Sequence, residues 1–519
     1  MSEQISRRTL LCATAGGAVG TMIAAPAPAS ASGRTPAVVR ELEEKIRQAM
    51  PVYGVPGVSL GLRHRGVDYV RGFGVTDVAA PAPVDGDTVF RIASTTKTFV
   101  GTGMMRLVER GRIDLDRTIR SYLPDFRTSD PAASARVTVR QVLDHSAGWL
   151  GDFFLDTGSD DGALARYVAA MSRLPQLTAP GEVFGYNNAA LSLAGRLIEV
   201  VTGTTFERAL QSLVMDPLRL AHTRFHPEEI RDVSIAVPHG FDEEGNPVSV
   251  PAALALPRSI HGAGGLFSSA RDQLRWARFH LGDGSPLLSA RSLRAMRSRP
   301  GPGGTLFVEL DGAGVTWMLR PTAEGPKVVQ HGGDLGGQHS GFLMVPERDF
   351  ALTVLTNSEG GPALLDDLFG GDWALSRFTG LHNLPAVPLR LSAAELAPYE
   401  GPYLGQQIGY TGETEYVPLR LTAADGVLVV SYADEELLRL AFYRNAVAKR
   451  DHVVVLQPDG SAANSRANFV RDRDGSIAWL RVGGRLYRHD GVAPAAVSAA
   501  RPARPSSLTT LPHPDSGLL

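Results

Sequence analysis

Ser94-Thr95-Thr96-Lys97 places a hydroxyl and an amine three residues apart. If Ser94 opens a helix, both side chains fall on one face, about 5–6 Å apart between β-carbons. At that separation the amine can take the serine proton. The free N–H groups and positive end of the helix then stand beside any oxyanion that forms. Desolvation lets a buried lysine deprotonate, whereas arginine does not. The chain has only four lysines (Lys45, Lys97, Lys327 and Lys449) among its 52 lysines and arginines, so a lysine here stands out against an arginine background. Chance alone gives a Ser-x-x-Lys in roughly one such chain in four, so further elements are needed.

Two further groups of residues supply them. Tyr186-Asn187-Asn188 offers a phenol that can relay protons and an amide, Asn188, that can hold both Lys97 and a substrate amide. Tyr443-Arg444-Asn445 is a second triplet of the same form. His331-Gly332-Gly333-Asp334 ends a run read as a strand. Its paired glycines let a substrate backbone lie close, His331 faces the substrate, and the Asp334 N–H can complete an oxyanion hole. His339-Ser340-Gly341 is a rival without the tandem glycine. A Ser-His-Asp triad is set aside because no Gly-x-Ser-x-Gly is read in the sequence. A zinc site is set aside too, since no His-Glu-x-x-His occurs and the single cysteine, Cys12, lies near the N-terminus. His222 and His226 are read as loop residues before Pro227. The chemistry calls for no cofactor and no metal.

These groups need a frame. Residues 34–50 have the pattern of an amphipathic helix, and 57–62 with 67–75 read as a two-stranded hairpin. From about 94 to 310 helical patterns dominate, as in Val100, Met104, Leu107 and Val108 before Gly111. Strand patterns return at 328–330, 341–345 and 351–356. Early and late strands around a helical block predict an α/β (α+β) fold, an antiparallel sheet flanked by helices with a helical insertion. Past a Pro-containing linker at 381–392, short β runs at 417–421, 426–432, 452–456, 468–471 and 477–482 are split by Asp-Gly turns. They predict a small antiparallel barrel over 393–490. The Ala/Pro/Ser-rich end, 491–519, reads as disordered.

The order Ser-x-x-Lys, Tyr-x-Asn, His-Gly-Gly resembles the class C β-lactamase and DD-peptidase family of serine hydrolases. Phe90-Arg91-Ile92-Ala93, Asp114-Leu115-Asp116, Tyr122-Leu123-Pro124, His145-Ser146-Ala147-Gly148 and Ala263-Gly264-Gly265-Leu266 are similar to that family's intervening segments. The resemblance covers roughly 38–380, and the later β region looks like the lipocalin-like domain often appended to such enzymes. It implies a β-lactamase/transpeptidase-like domain over 32–380 and an acyl-enzyme mechanism. Ser94 would be the nucleophile, Lys97 and Tyr186 the proton carriers, Asn188, His331, Gly332 and Gly333 the substrate contacts, and the N–H groups of Ser94 and Asp334 the oxyanion donors. His331 stands where β-lactamases of this family usually carry lysine, a pattern more like DD-carboxypeptidases, D-aminopeptidases and esterases.

Bulk properties limit the partners. A formal net charge of −2 over 519 residues leaves no basic footprint for nucleic acid. Ser6-Arg7-Arg8-Thr9-Leu10-Leu11, the apolar run to Ala25 and Ala29-Ser30-Ala31 form a twin-arginine signal with a cleavage site, so 1–31 are expected to be removed on export. No later stretch reaches transmembrane length, so no membrane anchor is expected after cleavage. The partner is then a small-molecule or peptide substrate: a D-amino peptide, an amide, an ester or a β-lactam. Acyl transfer or cyclisation, and a non-catalytic binding protein on the same fold, are the alternatives. Oligomeric state is left open. Deleting the chain after about residue 390 is expected to leave acylation possible but to alter substrate choice or stability.

Overall fold

The computed structural model describes residues 35–444 and 451–491; the expected signal and tail lie outside them. Helix α1 (Ala37–Val52) follows Pro36 and buries Val39, Leu42, Ile46 and Ala49, one apolar stripe at helical spacing. It starts three residues later than expected because Pro36 fits a position before the helix and not its interior. Strands β1 (Gly57–His64) and β2 (Val67–Gly74) pair antiparallel through a two-residue turn, Arg65-Gly66. Both turn residues have positive φ, 52° and 79°, the twist that suits a tight hairpin.

The remaining strands of this sheet come from far along the chain: β3 (Gly312–Ala313), β4 (Met318–Arg320), β5 (Val328–Leu335), β6 (Gln338–Val345) and β7 (Phe350–Thr356). The seven-stranded order is β2-β1-β7-β6-β5-β4-β3, every pairing antiparallel. One face packs on α1 and on the helix Trp373–Thr379, through Val58, Leu60, Leu352, Val354 and Phe378. The other meets the helical insertion, chiefly through α4 (Ala270–Leu281), with α2 (Thr96–Glu109) packed on α4 and α3 (Asn188–Thr202) on α2. Phe99 of α2 stacks on Trp276 of α4 with ring centroids 4.0 Å apart. Among the described residues no helix is long and apolar enough to cross a membrane.

The C-terminal unit is a closed meander of eight strands: β8 (Gly401–Ile408), β9 (Thr414–Ala424), β10 (Val427–Tyr432), β11 (Glu435–Arg444), β12 (His452–Leu456), β13 (Ala462–Arg471), β14 (Ile477–Val482) and β15 (Arg485–His489). β8 pairs with β15 and closes the ring. Its interior is filled by Tyr403, Leu421, Leu428, Leu440, Val453, Phe469 and Tyr487, so it is a packed core. Three of these strands escape a reading by pattern. Glu435–Arg444 has leucines at mixed spacing, Gly401–Ile408 is rich in Gly and Gln, and Arg485–His489 is mostly polar. Within the stretch read as a linker, Val387–Pro388 adds to the outside of β11.

The two units are sewn together. Main-chain bonds join Phe154 N–H to the Ile408 carbonyl (2.8 Å), Ile408 N–H to the Asp152 carbonyl (2.9 Å) and Tyr186 N–H to the Gly484 carbonyl (2.8 Å).

Candidate active site

A short strand, Val89–Arg91, pairs with Phe267–Ser269 and brings the chain to Ile92, whose N–H donates to the Leu266 carbonyl at 2.9 Å. The backbone then turns through Ala93 at a φ of 43°, a left-handed conformation alanine rarely adopts. Ser94 therefore sits in a single 3₁₀ turn, Ala93–Thr95, and α2 begins only at Thr96. That differs from the expected helix opening at Ser94. The i, i+3 relation to Lys97 survives, because a 3₁₀ turn places i and i+3 almost in line. Ser340 of β6 fastens the turn, its Oγ donating to the Ile92 carbonyl (2.8 Å) and lying 2.9 Å from Thr95 Oγ1.

Lys97 is among the largest fully buried side chains of the protein. Its Nζ lies 2.9 Å from Ser94 Oγ, 2.7 Å from Asn188 Oδ1 and 2.7 Å from the Ala263 carbonyl oxygen. Two of these partners can only accept. The third, a hydroxyl, can donate. A neutral amine fits this set completely, with two N–H groups used on Asn188 and Ala263 and the lone pair facing the Ser94 O–H. Burial, and secondly the Arg485 charge, push the ammonium well below its usual range, with Asp152 pulling the other way.

Asn188 is the first residue of α3, whose preceding residue Asn187 caps the helix by accepting from Ala190 N–H at 2.8 Å. Asn187 also exchanges hydrogen bonds with Trp149, which fixes the entry into α3. The Asn188 amide nitrogen donates to Asp152 Oδ1 at 2.7 Å. Tyr186 is buried against its neighbours: the His145 ring stacks on one side at 4.8 Å and the Arg485 guanidinium lies 4.8 Å from its centroid. Burial drives its phenol far above the ordinary tyrosine range, while Ser94 and Arg485 act in the opposite direction. The phenol is thus a neutral O–H beside the nucleophile.

On the other side of Ser94 runs β5. Gly333 approaches so closely that a β-carbon there would lie 2.3 Å from the Ile92 oxygen and 2.7 Å from Ser94 N, so only glycine fits. Gly332 is exposed, and a β-carbon on it would meet only the Ser340 oxygen at 3.3 Å. His331 is buried and its Nδ1 lies 2.6 Å from the Gly332 carbonyl. A carbonyl only accepts, so Nδ1 carries the proton and Nε2 is left as a buried lone pair, without a partner among the described residues. Burial, then the nearby Lys97, hold this imidazole down at about 3, so it is uncharged at neutral pH.

Ser94, Lys97, Tyr186, Asn188, His331, Gly332, Gly333 and Asp334 thus gather at the junction of α2, α3 and β5. The rivals lie elsewhere or serve other contacts. Tyr443 is in the barrel and bonds Glu309, and Asn445 lies outside the described residues. His339 pairs with Asp334 at 2.9 Å. The chain does hold one Gly-x-Ser-x-Gly, Gly57 to Gly61, but it lies within β1, and Ser59 Oγ donates to the Asp85 carbonyl at 2.9 Å. It forms no strand-to-helix elbow. Two participants, Asp152 and Arg485, are not legible in the sequence, and the segment that marks His145 gives no sign that its ring lies beneath Tyr186. Arg485 carries no local mark beyond the Gly483-Gly484 pair before it.

Comparison with known proteins bears on the family and the fold. The family model described as Beta-lactamase matches residues 42–372. A penicillin-binding protein 4 of Amycolatopsis lactamdurans is 32% identical over 364 residues, which is 68% of this chain and 95% of that protein. Esterase EstB of Burkholderia gladioli is 30% identical over 266 residues, 48% of this chain and 67% of the relative. The crystal structure of SurE with D-Leu superposes at a TM-score of 0.65 with 26% identity, covering 87% of this chain and 99% of that one.

Proposed function

The chain belongs to the beta-lactamase family, and we propose that it is an exported serine hydrolase acting through an acyl-enzyme at Ser94 on a peptide containing D-amino acids, an amide or an ester. The observation that carries this reading is the hydrogen-bond set of Lys97, which leaves a neutral amine one lone pair and aims it at Ser94 Oγ. In the first step Ser94 Oγ bonds to the substrate carbonyl carbon as its proton passes to Lys97 Nζ. The developing oxyanion is taken by the N–H groups of Ser94 and Asp334. Tyr186, neutral and next to the nucleophile, passes a proton to the leaving amine or alkoxide as the carbonyl–heteroatom bond breaks. Water then attacks the ester at Ser94, and its proton passes through the Lys97–Tyr186 pair to Ser94 Oγ as the ester bond breaks and the acid leaves.

The substrate class follows from position 331. A lysine there would offer a cation to a substrate carboxylate. An uncharged His331 with a free Nε2 offers an acceptor instead, which suits an N–H or O–H of a peptide, amide or ester. The D-Leu complex of SurE and the esterase relative support the same range. DD-carboxypeptidase, D-aminopeptidase and esterase action all fall within it.

The test is intact-mass analysis and peptide mapping after exposure to a fluorophosphonate, with Ser94→Ala alongside. One adduct on Ser94, lost in the variant, is expected, followed by turnover of D-amino amides or esters. A folded wild type that resists this probe and smaller acylating agents alike refutes the hydrolase. The same mass spectrum of protein recovered from culture medium reports export, since residues 1–31 should be missing.

A further inference from the structure

The barrel reaches the catalytic lysine through one side chain. Arg485 is the first residue of β15, straight after the Gly483-Gly484 turn. Its guanidinium donates from Nε to Asp152 Oδ2 at 3.0 Å and from Nη2 to Oδ1 at 3.4 Å. Asp152 is only 4% exposed, and its Oδ1 also accepts the Asn188 amide at 2.7 Å. Asn188 in turn accepts from Lys97, and Lys97 contacts Ser94. An unbroken chain of polar contacts thus runs from the barrel to the nucleophile. Arg485 also lies over the Tyr186 ring, while the adjoining Gly484 carbonyl holds the Tyr186 N–H.

Electrostatics give this chain a purpose. A buried carboxylate one amide away from an amine favours the ammonium form, which cannot accept a proton. Arg485 cancels that carboxylate and adds a positive charge of its own. The other titratable groups facing Lys97 are Tyr186, His145 and His331; the last two are neutral, held down by burial.

We propose that Arg485 is a positioning residue which, by neutralising Asp152 from the barrel side, keeps Lys97 a free base and makes the barrel a working part of the acylation site. The proposal rests on the reading of Lys97 as the base. Removing the barrel removes Arg485 and leaves Asp152 with the Asn188 amide alone, so the acylation expected to remain after truncation should be slower.

The test follows the protonation of Lys97 by NMR in the full chain labelled with [13Cε]lysine, where the signal lost in Lys97→Met assigns it. R485A should raise the Lys97 midpoint by at least about one pH unit, a tenfold gain in proton affinity. R485A/D152N should bring it back, R485K should recover most of the shift, and D152N alone should lower the midpoint. The acid limb of the acylation rate should move up by the same one unit in R485A, so that the rate at a fixed pH on that limb falls about tenfold, and it should return in the double variant. An unmoved midpoint in R485A, or a double variant that stays with R485A, overturns the proposal. Should R485A not fold, an unmoved or raised midpoint in D152N does so instead. Fluorophosphonate labelling of the wild type decides the hydrolase reading separately, since the titration needs no turnover.

Discussion

A methyl group at position 333 tests how tightly the site is drawn. Gly333 has no positive φ, so alanine is compatible with its backbone and the only obstacle is contact. The added β-carbon would sit 2.3 Å from the Ile92 oxygen, 2.7 Å from Ser94 N and 2.8 Å from Ser340 Oγ. The first two are backbone atoms and cannot rotate away. Reaching an ordinary separation of about 3.5 Å needs a movement on the order of 1 Å between β5 and the Ser94 turn. A displacement of that size costs roughly 100-fold in rate when it separates groups that must act together, or about 2.7 kcal/mol of barrier. Gly333→Ala should therefore lower the second-order rate of Ser94 labelling by about two orders of magnitude. Overpacking should cost on the order of 1–3 kcal/mol of stability as well. Gly332→Ala is the comparison, since its β-carbon meets only the Ser340 oxygen at 3.3 Å, and it should lose less than tenfold. Labelling rates followed by intact mass, with thermal melts for both variants, decide the matter. Equal rates in the two alanine variants would refute the claim that the Gly333 contact sets the oxyanion geometry.

Three further outcomes follow from the same geometry. Lys97→Arg keeps the charge but not the ability to accept a proton, so labelling of Ser94 should fall by about 10²–10⁴-fold. In the wild type the rate should drop on the acid side as Lys97 takes up a proton, with that limb below the usual lysine range because burial lowers the ammonium; labelling of Lys97→Arg within tenfold of wild type would remove this residue from the mechanism. A chain ending after residue 390 loses Arg485 and the Gly484 contact to Tyr186, and at a pH on the acid limb of the rate it should label about tenfold more slowly if the Lys97 midpoint rises by one unit. Unchanged labelling of a folded truncated chain would make the barrel a passenger.

Local spacing explains why much of the site is legible in the chain. Ser94 and Lys97 are three residues apart, and helical or 3₁₀ geometry sets their relation without help from elsewhere. The tandem glycines at 332 and 333 announce a close approach, and the Asp-Gly turns mark out a β-rich tail. Strands with mixed or polar patterns were less visible: Glu435–Arg444 reads as readily as a helix, and only its pairing with β10 and β12 makes it a strand.

What the sequence by itself determined is the set of reacting groups, since those depend on residue type and on separations of a few positions. What tertiary structure decided is their state. The Lys97 ammonium is held well below its usual range because folding buries it completely, and its nitrogen meets acceptors drawn from α3 and from Ala263. His331 is uncharged because its proton is spent on the Gly332 carbonyl in a buried position. Arg485 reaches Asp152 across 333 residues of sequence, a distance over which no pattern in the chain carries information. Charge in a low-dielectric interior depends on what lies within a few ångströms, and only the folded chain sets that.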